Sequence, residues 1–129
     1  LQYSMIQDFC HHTANTHIPE GISSEIYNCM SYIRCHTNEN LSIEDIAKQI
    51  HRSSSYTMKH FKEELGINIG AYIVRCKLED AKGLLTYSDK SLTEISNYLC
   101  FSSQSYFQNV FKKKYGLTPL QYRKKTQHI

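Results

Sequence analysis

The stretch Ser91-Leu92-Thr93-Glu94-Ile95-Ser96-Asn97-Tyr98-Leu99-Cys100-Phe101-Ser102-Ser103-Gln104-Ser105-Tyr106-Phe107-Gln108-Asn109-Val110-Phe111-Lys112-Lys113 decides the fold, because an earlier part of the chain repeats it. Its opening matches Ser42-Ile43-Glu44-Asp45-Ile46-Ala47 at a displacement of 49 residues. One residue is then inserted and the displacement becomes 50. Ser53 pairs with Ser103, Tyr56 with Tyr106, Phe61-Lys62 with Phe111-Lys112, Gly66 with Gly116 and Tyr72 with Tyr122. Self-similarity at a fixed period marks a duplicated structural unit.

Each copy predicts the same local structure. Ser91-Leu92-Thr93-Glu94 fits a capping box, and Ser42-Ile43-Glu44-Asp45 resembles one with Asp in the third place. Thr118-Pro119-Leu120-Gln121 adds Pro at the first helical position, and Gly66 and Gly116 sit where helices stop. Thr57, His60, Phe61 and Leu65, and likewise Phe107, Val110, Phe111 and Tyr115, fall at helical spacing on one apolar face. A short helix, a tight turn, a longer helix and a glycine stop make a helix-turn-helix. Duplication for packing alone would account for these apolar matches. It does not account for Ser, Gln, Asn and Lys on the outward positions.

Around this repeat the chain reads as helices. Ile26, Met30 and Ile33, flanked by Tyr27, predict a helix from Ser24 to near His36. Residues 68–85 make a stretch about 27 Å long at 1.5 Å per residue. Ile69, Tyr72, Ile73 and Cys76, then Ala81, Leu84 and Leu85, give it two apolar stripes, while Gly83 costs roughly 1 kcal/mol relative to Ala. Residues 1–18 are polar and His-rich, closed by Pro19-Glu20-Gly21, and read as a linker with a short helix around 5–10. The expected architecture is all-α. A linker (1–25) leads into a first helix-turn-helix unit (26–67), a long linking helix (68–85) and a second helix-turn-helix unit (86–127), with about seven helices in all.

Composition supports this and excludes other classes. The 129 residues are 40% hydrophobic and 21% charged, as in ordinary globular proteins. Five Gly and two Pro are few for an all-β chain. No apolar run reaches the roughly 20 residues needed to cross a bilayer. The chain begins at Leu1 with no signal peptide and reads as a piece of a longer protein. Five cysteines in no regular spacing point to reduced thiols in a cytoplasm. The formal charge of +3 is unevenly placed. Residues 1–40 carry Arg34 against Asp8, Glu20, Glu25 and Glu39; residues 90–129 carry seven basic side chains against Glu94 alone. Charge gathered at one end suggests a polyanionic partner.

No nucleophile elbow, phosphate loop, dinucleotide fingerprint or paired-carboxylate arrangement is present, so an enzyme is not expected. The rival reading is a metal- or redox-sensing helical interaction module, using Cys10-His11-His12 with His17, or Cys29 with Cys35-His36. Zinc sites show short Cys pairs, which are lacking here, and Cys29 and Cys35 do not share a helical face. No metal and no cofactor is expected.

The run from Ser91-Leu92-Thr93-Glu94-Ile95 through Phe101, Ser105-Tyr106-Phe107, Phe111-Lys112-Lys113, Gly116, Thr118-Pro119 and Tyr122-Arg123 resembles the signature of AraC/XylS-type transcription regulators. Arg75, Leu78, Ala81 and Leu84-Leu85 resemble that family's linking helix, and Asp45-Ile46-Ala47 through Phe61-Lys62 and Gly66 its first helix-turn-helix. The resemblance covers about residues 26–125. It implies a seven-helix fold whose linking helix holds both recognition helices on one side. It also implies double-stranded DNA and RNA polymerase as partners, and activation as the commoner mode of control. A sensing domain, a sugar-binding cupin or a phosphorylated receiver, would precede Leu1. The fragment alone would be monomeric and the full-length protein dimeric through that domain. Four positions depart from the family. Cys100 stands where Gly is usual, Ser96 where Ala is usual, and Thr57 and His60 where larger aliphatics are usual. They bear on local stability.

A recognition helix enters the major groove with its N-terminal outward side chains against base edges. The expected readers are Ser54, Ser55, Met58 and Lys59, with Arg52 in the turn, and then Ser103, Gln104, Ser105, Gln108 and Asn109. Lys59 suits guanine O6/N7. Gln and Asn suit adenine N6/N7, each bidentate pair giving about 1–3 kcal/mol of discrimination. Expected phosphate contacts are Lys62, Lys112, Lys113 and Arg123, with the helix starts at Ser42 and Ser91. Exposed Ser, Gln and Asn are ordinary on any helix surface. The repeat is what singles these out.

Overall fold

The structure, a computed structural model, describes residues 21–127. Within them lie seven helices and no strand: α1 (Ser24–Cys35), α2 (Ile43–Lys48), α3 (Ser54–Leu65), α4 (Ile69–Tyr87), α5 (Leu92–Tyr98), α6 (Gln104–Tyr115) and α7 (Pro119–Thr126). The helix expected at residues 5–10 and the linker up to residue 20 fall outside the described residues. None of the described helices is long and apolar enough to cross a membrane.

The chain divides into two compact units. The first comprises described residues 21–37 and Leu41–Val74; the second comprises Asn38–Asn40 and residues 75–127. The division falls inside α4, which runs unbroken for 19 residues, two beyond the expected Leu85. Gly83 does not interrupt it, and a Cβ there would meet no heavy atom within 4 Å.

The first unit is built on fully buried Ile26, Cys29, Ile33, Ile46, Phe61 and Ile69. Thr57 is as buried, and its hydroxyl donates to the Ser53 carbonyl at 2.8 Å, so its polarity leaves nothing unpaired. Glu64 on α3 accepts from the Ser23 backbone N–H at 2.8 Å and the Ser23 hydroxyl at 2.9 Å, tying that helix to the start of α1. Cys29 is buried among apolar groups, which pushes its thiol up to about 11.

The second unit centres on Ala81, Leu85, Ile95, Leu99, Phe107 and Phe111. Lys77, almost fully buried, donates to the carbonyls of Leu99 at 2.6 Å and Glu39 at 2.9 Å, and burial lowers its pKa. Arg123 on α7 reaches back to the end of α4. Its Nε donates to Leu85 O at 3.1 Å, and its Nη2 to Ser88 O at 3.2 Å and Leu84 O at 3.4 Å. Leu85 O is one of the carbonyls a helix end leaves unpaired, and Leu84 O also accepts from the Ser88 N–H at 3.1 Å.

The two turns between short and long helix share one geometry. His51 and Cys100 take left-handed backbone, with φ of 56° and 58°. The next residues, Arg52 and Phe101, donate backbone N–H to Ala47 O at 3.2 Å and Ser96 O at 3.0 Å, a Schellman-type closure. Cys100 thus does occupy a place that favours glycine. Ser96 is also costly: its hydroxyl is buried and has no hydrogen-bond partner among the described residues, whereas Ala47 of the first copy has none to satisfy.

Cys100→Gly is therefore expected to stabilise the chain by about 1 kcal/mol, and Ser96→Ala by a similar ~1 kcal/mol. Denaturant unfolding followed by helical circular dichroism reads both, and a loss of stability in either would contradict the strain assigned to that residue. The Arg123 clasp predicts that Arg123→Ala costs about 2 kcal/mol in the same measurement. Lys125→Ala, two residues further on and exposed, is expected to stay within about 0.5 kcal/mol of the parent.

Candidate nucleic-acid interface

The two recognition helices begin and end alike. The Ser53 hydroxyl accepts from the Tyr56 N–H at 3.1 Å, and the Ser103 hydroxyl from the Tyr106 N–H at 3.0 Å. At the far ends Gly66 and Gly116, with φ of 78° and 80°, donate to Lys62 O and Lys112 O, both at 2.8 Å. Equal caps fix equal lengths, twelve residues each.

One face of each helix is anchored by aromatic packing. Phe61 lies edge-on to Tyr72 with ring centroids 5.4 Å apart, and Phe111 lies edge-on to Tyr122 at 5.5 Å. The opposite face of α3 carries Ser55, Met58, Lys59 and Lys62, all exposed, at i, i+3, i+4 and i+7. The same positions of α6 carry Ser105, Gln108, Asn109 and Lys112, of which only Gln108 is half-buried. In its own unit, each set forms a single outward stripe.

The remaining expected readers stand differently. Ser54 and Gln104 open their helices half-buried, and the Thr93 hydroxyl donates to Gln104 Oε1, which leaves the amide nitrogen of Gln104 as donor. Ser103 is the cap of α6, so its oxygen is already an acceptor. Arg52 donates from Nε to Glu25 Oε2 at 2.8 Å, and its guanidinium lies 4.5 Å from the Tyr56 ring centroid. The Tyr56 hydroxyl donates to the other oxygen of Glu25 at 2.9 Å. The Arg52 bond, then the Tyr56 bond, lower the pKa of Glu25.

Among the expected phosphate contacts, Lys62, Lys112 and Lys113 are exposed, and the last two share the final turn of α6 with Lys114. Ser42 and Ser91 are N-caps whose oxygens accept from Asp45 N at 3.1 Å and Glu94 N at 3.0 Å. The Ser91 backbone N–H is taken by Glu94 Oε1 at 2.8 Å, a bond that leads in holding the Glu94 carboxyl below its ordinary pKa. Each serine keeps its own O–H as a donor. Arg123 faces the carbonyls of α4 described above. Tyr106 was not among the expected readers. It is 42% exposed at the start of α6, three residues before Asn109 on the flank of the stripe. Its match with Tyr56 in the repeat was the available signal. Among the described residues, no group of three or more His, Cys, Asp or Glu is placed to hold a metal ion. Cys10, His11, His12 and His17 lie outside the described residues.

A stripe of this kind can donate to guanine O6/N7 from lysine, bond adenine N6/N7 from Gln or Asn, and touch a thymine methyl through an apolar group. Comparison with known proteins bears on the family. Residues 46–125 match the model of a family described as a helix-turn-helix domain. The chain is 36% identical over 105 residues to the regulatory protein PocR of Salmonella typhimurium, covering 81% of this chain and 35% of PocR. It is 39% identical over 98 residues to the xylose operon regulatory protein of Escherichia coli K12, covering 76% of this chain and 25% of that protein. The chain thus spans about a third of the one and a quarter of the other. Among solved structures it superposes on the C-terminal domain of AraT, a response regulator from Geobacillus stearothermophilus. The TM-score is 0.75 at 29% identity, over 83% of this chain and 89% of that one. These relatives are regulators and not enzymes, and the chain belongs to the AraC-type family of helix-turn-helix DNA-binding transcriptional regulators.

Proposed function

We propose that residues 26–127 read two different elements of a non-palindromic DNA site, α3 on one and α6 on the other, in successive major grooves. The observation that carries this reading is the pair of polar stripes at equal positions on two equally capped helices. The repeat is direct, so one chain offers two unlike readers. Major-groove faces recur every 34–36 Å, about 10 base pairs, and the unbroken α4, about 28 Å long at 1.5 Å per residue, is suited to spacing the units.

In this reading Ser55, Met58 and Lys59 with Arg52 address the first element, and Gln104, Ser105, Gln108 and Asn109 the second. Ser54 and Ser103 contribute from the helix starts. Lys62, Lys112 and Lys113 neutralise phosphates, with the hydroxyls of Ser42 and Ser91 beside the backbone. Arg123 holds α7 to α4 and acts on DNA only through that clasp. The chain is the DNA-binding part of a longer cytoplasmic bacterial activator whose other domain senses the signal and sets the oligomeric state. RNA polymerase is its second partner. The length of the relatives supports that division.

The test is a site selected from a random duplex pool, then altered. Inserting about five base pairs between its two elements turns one to the far side of the duplex. Affinity is expected to fall to that of a single unit, and unchanged binding would mean that one unit alone reads. A second measurement separates readers from anchors. Asn109→Ala is expected to weaken binding to the selected duplex by about 1–3 kcal/mol while leaving random duplex alone. Lys112→Ala is expected to weaken both and to reduce the salt slope by about 1. Equal losses on both duplexes for both variants would show a second unit that grips without reading.

A further inference from the structure

We propose that Glu25 is a positioning residue for DNA reading: it buttresses Arg52 so that the two terminal amino groups of the guanidinium face the first DNA element. The inference rests on the proposed groove reading and assigns to it a residue outside the recognition helix.

The repeat defines what is unusual about Arg52. In the second copy the residue after the left-handed turn is Phe101, which is buried and tilted against Tyr106 with centroids 6.2 Å apart. In the first copy that place holds Arg52, whose guanidinium lies over Tyr56, the partner of Tyr106 in the repeat. The same shelf thus carries an apolar ring in one unit and a cation in the other. Packing alone would be served by phenylalanine in both.

The geometry of the cation matters more than its presence. Glu25 bonds the Nε, and the side chain of Arg52 remains 49% exposed. A guanidinium held at Nε presents both amino groups in one plane, the fork that matches O6 and N7 of guanine or two phosphate oxygens. The other oxygen of Glu25 is bonded by Tyr56, the third residue of α3. The carboxylate is therefore fixed at both oxygens, and one of its two partners belongs to the recognition helix. Ordering a long side chain before binding removes part of the entropy cost of contact. Glu25 also brings a negative charge toward DNA, which on its own would weaken binding.

That opposition of effects supplies the test. Glu25→Gln removes the charge and weakens the hold on Arg52, so binding to the selected duplex is expected to fall about tenfold while binding to random duplex stays equal or tightens. The loss should map to one or two base pairs of the first element only. Arg52→Lys keeps the charge but loses the fork, and is expected to reproduce the same loss, with the double variant no worse than either single one. Thermal melting of each variant accompanies the binding curves. Tighter binding to both duplexes by Glu25→Gln would show that the acid restrains Arg52 instead of aiming it, and would overturn the proposal. So would additive losses in the double variant, or losses equal on both duplexes or tracking a lowered melting point, which belong to a structural role. If the parent chain selects no duplex at all, the groove reading itself has failed. If Asn109→Ala behaves as expected and Glu25→Gln changes nothing, only the buttress has failed.

Discussion

An edge-to-face aromatic contact that recurs at matching positions of the two units is what the outward stripes depend on. Phe61 against Tyr72 and Phe111 against Tyr122 join the inner face of each recognition helix to the helix that follows it. Both phenylalanines are fully buried. Such pairs contribute about 0.5–1.5 kcal/mol beyond the area they bury. A twelve-residue helix is marginal in water by itself and is held by the burial of one face. With that face fixed, the opposite one has no structural duty. This is why the anchors repeat between copies while Met58 and Lys59 give way to Gln108 and Asn109.

The turn preceding each helix shows the same separation of demands. Its left-handed residue and Schellman-type closure recur in both copies, although neither copy supplies glycine. His51 and Cys100 are both exposed there, so the unfavourable backbone forces no side chain into the core, and the Cys100 thiol donates to Asn38 O at 3.5 Å. Strain of that size survives because the closure and the buried faces on either side over-determine the turn.

What could be read from the sequence was short-range. Caps at Ser42, Ser91 and Thr118, stops at Gly66 and Gly116 and the apolar stripes all involve residues within about two helical turns, and each is found in the structure. At Cys100 the only pointer was the family resemblance, which has Gly at that place. What could not be read were bonds between residues far apart in the chain. Arg123 sits in a basic run and read as a phosphate anchor, but its partners lie up to 39 residues away at the end of α4. Glu25, which bonds Arg52 and Tyr56 across 27 and 31 residues, carried no local signal beyond its place in a helix's first turn. Side chains with several donors or two acceptors find such partners only when the tertiary fold brings them close.

Charge, finally, divides the two units in a way that helix chemistry alone does not explain. Basic residues in a last turn oppose the partial negative charge of the helix end, so a lysine at Lys62 or Lys112 is favourable without any ligand. The two positions that follow differ between copies: Glu63 and Glu64 in the first, Lys113 and Lys114 in the second. Glu64 has a structural task, bonding Ser23 at the start of α1. Lys113 is exposed and has no such task, and Lys114 lies 5.7 Å from the Tyr115 ring centroid. A dipole served by one lysine in α3 does not require three in α6. In the proposed reading the surplus is available to phosphates, and most of the sequence-independent grip falls to the second unit. The first unit, with acids beside its readers, is left to depend on the aim of individual side chains.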